Sequence, residues 1–75
     1  MPYISIKAWP KDEETKKKVV DEINEVFLKY WGCPQEAISI SLEEFSPETW
    51  EEKVVKPEIV PNESKMMISS GKKNY

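Results

Sequence analysis

Apolar and polar residues alternate near the start of the chain. Ile4, Ile6 and Ala8 fall on one side, and Tyr3, Ser5, Lys7 and Trp9 on the other. A period of two carried by β-branched residues predicts a strand. The alternation returns in "AISISLEEF", where Ile38, Ile40 and Leu42 oppose Ser39, Ser41 and Glu43. Between these segments the period changes. Val19, Val20, Ile23, Val26, Phe27, Tyr30 and Trp31 recur at three- and four-residue spacing, which predicts an amphipathic helix of about five turns. Asp12, Glu13 and Glu14 stand where the helix dipole favours anions, each with a lysine four residues on. Gly32 suits the left-handed position after the last turn, and Pro34 bars continuation.

Strand, helix and strand in this order predict a βαβ unit with parallel strands and a right-handed crossover. One helix covers part of one sheet face, so the face with Tyr3, Trp9 and the serines calls for another cover. Beyond Phe45, Ser46 as N-cap and Pro47 at the first helical position predict a short helix. Pro57 and Pro61 prevent one uninterrupted helix through the following stretch, although Pro61 can open a turn carrying Met66, Met67 and Ile68. The tail "GKKNY" is expected to be mobile or to order only at an interface. With no repeat, linker or low-complexity tract, residues 1–75 read as a single domain.

Composition adds an argument for assembly. A chain of 75 residues buries only about 60–65% of its unfolded surface, and its one cysteine, Cys33, cannot form an internal disulfide. A homo-oligomer is the simplest remaining source of stability. The chain has no histidine, the commonest metal ligand and acid–base group, so neither a metal nor another cofactor is expected. A net charge of −3 speaks against nucleic acid as partner. The lone thiol and the lack of a signal peptide or long apolar run point to the cytoplasm and away from a membrane.

Most motifs that suggest chemistry have a plainer reading. "SSGKK" lacks the upstream glycine and strand-to-helix setting of a phosphate loop. Glu43 and Glu44 are adjacent on a strand and face opposite ways. The run Lys16–Lys18 spreads around the helix, and nothing beside Cys33 marks it as a nucleophile. Pro2 has two readings. A proline is tolerated at the first residue of a strand; at a true amino terminus, once Met1 is removed, its nitrogen is instead a basic secondary amine.

An N-terminal proline entering a short strand, the βαβ unit, and the stretches "PYISIK", "CPQEAISISLEEF" and "SPETW" resemble the 4-oxalocrotonate tautomerase family. The later part is most similar to its short, dimeric, phenylpyruvate-type branch. The resemblance covers roughly the first two-thirds of the chain. It implies an α+β fold in which βαβ protomers join their strands into a four-stranded sheet with the helices on one face. The dimer is favoured over a hexamer of three dimers. It also implies an enol–keto tautomerase in which the Pro2 amine takes a proton and returns it, so that no histidine is needed. Members acting on dicarboxylates hold the carboxylates with two arginines. Lys11 stands at the first place and Ser39 at the second, while Trp50 keeps the aromatic wall. Lysine lacks the bidentate fork of arginine. One cation among aromatics therefore favours an aromatic 2-oxo acid over a dicarboxylate. The alternative is a non-catalytic βαβ module for dimerisation or partner binding, in which Pro2 only starts the strand.

Overall fold

The alternating segments form β1 (Tyr3–Ala8) and β2 (Ser39–Glu44) in a computed structural model that describes residues 1–75. The strands pair in parallel, in register from Tyr3 with Ser39 to Ala8 with Glu44. The helix α1 (Glu13–Val26) continues without a break into a wider turn, Phe27–Trp31. In that turn the amide of Gly32 reaches back five residues to the Phe27 carbonyl at 3.1 Å. Gly32 closes it at φ 72°, the left-handed geometry that a side chain resists. Asp12 caps the other end, its carboxylate accepting the Thr15 amide at 3.0 Å and hydroxyl at 2.7 Å. These bonds hold the Asp12 carboxyl below its ordinary range. Asp12 is thus a cap rather than the ion-pair partner that its spacing suggests.

The helical apolar stripe divides in two. Val20, Ile23 and Phe27 are half-buried, on the side turned to the sheet. Val19, Val26 and Tyr30, about 80–100° around the helix, are 43%, 50% and 75% exposed. No residue of Met1–Glu44 is fully buried; the one buried side chain of the chain is Val54.

Three charged groups fasten the start of α1 to the end of β2. The Lys16 ammonium lies 2.7 Å from Glu13 and 3.2 Å from Glu44. Glu44 also accepts the Lys11 amide at 2.9 Å. That amide, and then Lys16, hold the Glu44 carboxyl below its usual range. Glu13, then Glu44, raise Lys16. With folded pKa values below those of the unfolded chain, Glu44 and Asp12 stabilise the fold above the ordinary carboxylate range, about pH 4. Their contribution is lost as pH falls through the folded values, because the unfolded chain then binds more protons. The Lys16 contribution has the opposite sign and is lost only above about pH 10. Melting temperature followed by circular dichroism should therefore be flat near neutrality and fall below about pH 4. The Glu44→Gln variant should lose less on acidification; an identical fall would remove Glu44 from the acid response.

Residues Phe45–Tyr75 make a second compact unit. Its helix α2 opens at Pro47–Trp50 and runs on as a wider helix over Glu51–Ile59. Ser46 precedes it with extended backbone (ψ 153°), and its hydroxyl meets that of Thr49 at 3.0 Å. Pro57 lies inside the helix rather than ending it. The wider winding, seen where the Val60 amide bonds the Val55 carbonyl at 2.9 Å, accommodates a residue that lacks an amide hydrogen. The helix stops before Pro61, and a short turn at Glu63–Lys65 follows. The tail, expected to be mobile or to order only at an interface, folds into a hairpin of β3 (Ile68–Ser69) and β4 (Lys72–Lys73). Ser70 and Gly71 form its two-residue turn, both at positive φ (48° and 82°), as the mirror-image hairpin turns require. "SSGKK" is this turn, and the Asn74 side chain fixes its end by donating to the Met66 carbonyl at 2.8 Å.

Candidate active site

Pro2 enters β1 half-buried. Its carbonyl accepts the Ser39 amide at 3.1 Å, which extends the parallel ladder by one bond. The Met1 ammonium donates to the Ala37 carbonyl at 2.8 Å. The residue that heads the strand is thus tied on both sides to the chain entering β2. With Met1 in place the Pro2 nitrogen is an amide; without it, the nitrogen is a secondary amine at the same point.

The other proposed residues divide between places. Ser39 pairs with Tyr3, so it sits beside Pro2, exposed on the sheet face away from α1. Lys11 lies beyond the opposite end of β1, its amide on Glu44. A strand of this length spans roughly 16 Å at about 3.3 Å per residue. Pro2 and Lys11 of one chain cannot serve one small substrate. Trp50 belongs to the C-terminal unit, where its ring packs edge-on against Phe45 at 6.4 Å between centroids.

Near Lys11 a cavity of about 230 Å³ opens between the first turns of α1 and the sheet. Ile6, Ala8, Val19 and Leu42 make its walls, and Trp9, Lys11, Thr15 and Lys16 complete its lining. This is smaller than pockets for drug-sized ligands, which run to roughly 300–1,000 Å³. A larger groove of about 490 Å³ on the Val20 side of α1 is lined by Glu13, Lys16, Lys17 and Asp21 together with Val20 and Leu42. A depression of about 710 Å³ in the C-terminal unit is lined by Val60 and Pro61 together with Glu63, three serines, Lys72 and Asn74.

Sequence reasoning missed Trp9 and Glu44 here. Strict alternation puts Trp9 with Tyr3, Ser5 and Lys7. The strand instead ends at Ala8 and the chain bends at Trp9, which brings the indole to the cavity beside Ala8. The proline at position 10 was the available signal, since it cannot donate to a continuing ladder.

A family model described as "Tautomerase enzyme" matches residues 2–56. Tautomerase PptA of Pectobacterium atrosepticum is 34% identical over 64 residues, covering 83% of this chain and 84% of that protein. Tautomerase PptA of Escherichia coli O127:H6 is 36% identical over 53 residues, covering 68% and 71%. Among solved structures, the crystal structure of YwhB, a homologue of 4-oxalocrotonate tautomerase, superimposes with a TM-score of 0.57 at 26% identity. That match covers 60% of this chain and 75% of the other.

Proposed function

This chain belongs to the tautomerase family and is a keto–enol isomerase, and we propose that its base is the amine of Pro2 after removal of Met1. The observation that carries the proposal is the place of Pro2: the family match starts there, and the strand it heads is anchored through Met1, Pro2, Ala37 and Ser39. An ordinary α-amino group titrates near pH ~8 and a prolyl amine higher. One such group can take a proton from the enol and return it to carbon. The substrate on this reading is a 2-oxo acid with one aromatic ring. Its body fits the apolar cavity and its carboxylate meets Lys11. Ketonisation of phenylenolpyruvate, followed by absorbance, is the direct test; a properly trimmed and folded protein that leaves its rate unchanged would refute the assignment.

A second copy completes this site. The free edge of β1 lies on the Val19 side of α1, so joining two β1 edges antiparallel gives a four-stranded sheet with both helices on one face. The same step brings the exposed Val19, Val26 and Tyr30 of the two helices together. Full overlap pairs Tyr3 with the partner's Ala8 and sets Pro2 beside the partner's Trp9, at the mouth of the Lys11 cavity. The dimer is the unit of function on this reading, and a hexamer of three such dimers is the larger alternative. Ser39, adjacent to Pro2, supplies a hydroxyl where dicarboxylate-specific relatives carry an arginine. The protein works in the cytoplasm, where the free thiol of Cys33 stays reduced. No helix is long and apolar enough to cross a membrane.

Trp50 is proposed as the aromatic wall. Trp50→Ala should weaken binding of phenylenolpyruvate, seen as a raised KM, more than it lowers the melting temperature. Loss of stability in step with activity would make the contact with Phe45 its whole role.

A further inference from the structure

The cavity beside Lys11 carries a selectivity device that the base does not explain. Two lysines line it, but their charges are not equally free. The Lys16 ammonium is held between Glu13 at 2.7 Å and Glu44 at 3.2 Å, with its side chain 18% exposed. The Lys11 ammonium makes no ion pair. Glu44 holds this arrangement together: the oxygen that meets Lys16 also accepts the Lys11 amide at 2.9 Å, so one carboxylate secures the backbone that carries the free cation and occupies the other cation.

We propose that Glu44 is a specificity-determining residue that admits substrates with one carboxylate and turns away those with two. The proposal rests on the reading of the cavity as the substrate site. The first carboxylate of a ligand finds Lys11. A second finds Lys16 already satisfied and the Glu44 carboxylate beside it, a like charge in a partly desolvated place. Discrimination of this kind works by repelling the wrong ligand as much as by holding the right one. Glu13, 76% exposed and on the outer side of the Lys16 ammonium, contributes less.

Two ligands that differ by one carboxylate on the same ring test this: trans-cinnamate and 4-carboxycinnamate, titrated by calorimetry into the full chain with Met1 removed. Wild type should bind cinnamate about tenfold more tightly, a margin that shrinks in high salt. Glu44→Gln keeps an oxygen for the Lys11 amide but loses the charge, and should bring the ratio close to one. Lys16→Met keeps the aliphatic stem and leaves Glu44 unneutralised, so the ratio should widen; this second variant answers the question if the first fails to fold. An unchanged ratio in folded variants overturns the role of Glu44. Lys11→Ala separates that failure from failure of the site itself. If it weakens both ligands about tenfold, the cavity reading stands whatever Glu44 does. If it moves neither, or if wild type binds neither ligand, the cavity is not the carboxylate site and the proposal falls with it.

Discussion

Protein forced to keep Met1, for example by residues added ahead of it, is expected to ketonise phenylenolpyruvate about 100- to 10,000-fold more slowly than trimmed protein, the range that a positioned general base supplies. The reason is chemical rather than conformational. An acylated proline nitrogen is an amide with no proton affinity near neutral pH, and the Met1 residue, 89% exposed, is bonded directly to that nitrogen. Pro2→Ala, which after trimming leaves a primary amine, should retain part of the rate. The loss there comes from the mobile amine, since misplacement by ~1 Å costs on the order of a hundredfold. In the trimmed enzyme kcat/KM should rise with pH through the amine pKa, because the free base is the working form; the extended form should lack that rise. Equal rates from trimmed and extended protein would take Pro2 out of the mechanism.

Placing a charge on the exposed helical stripe should have the next largest effect. Val26→Lys is expected to convert the proposed dimer to monomer at micromolar concentration, measured by light scattering, and to lower activity by at least ~100-fold at the same concentration. Val26 is 50% exposed in the single chain and contributes little to its core, so the change acts on association. On the proposed shared site activity falls with it, because Pro2 and Lys11 lie at opposite ends of β1 and a partner chain is needed to bring one to the other. The separated chains should also melt at lower temperature, as Val54 is the only buried side chain in each. A fully active monomer would overturn the shared site.

The fold was legible where a local rule decides the outcome. Period two in "YISIKA" and "SISLEE" is a property of the extended chain, and both strands formed with Ile4, Ile6, Ile40 and Leu42 on the inner side. Parallel pairing followed from the length of the crossover, and the end of the long helix from Gly32 and Pro34. Family membership was legible for a similar reason, since it rests on Pro2 and on short stretches in a fixed order. Local rules failed where two demands competed for one residue. Pro57 was read as a breaker, yet a wider helical turn satisfies the backbone around it. Asp12 was free to pair or to cap, and capping won because Thr15 offered two donors at 3.0 and 2.7 Å.

What only the tertiary structure decided is which groups meet. Residues 11, 16 and 44 have no sequence relation to one another, and their meeting depends on the register that sets Glu44 opposite Ala8. That register makes Lys11 the free cation and Lys16 the spent one, a difference invisible in a count of lysines. The same geometry separates Pro2 from Lys11 by the length of a strand, although nine positions along the chain say nothing of distance in a fold. Sequence determines the elements because their energetics are settled within a few residues. The site depends on long-range packing, where strand register and bends place charges that the chain itself keeps far apart.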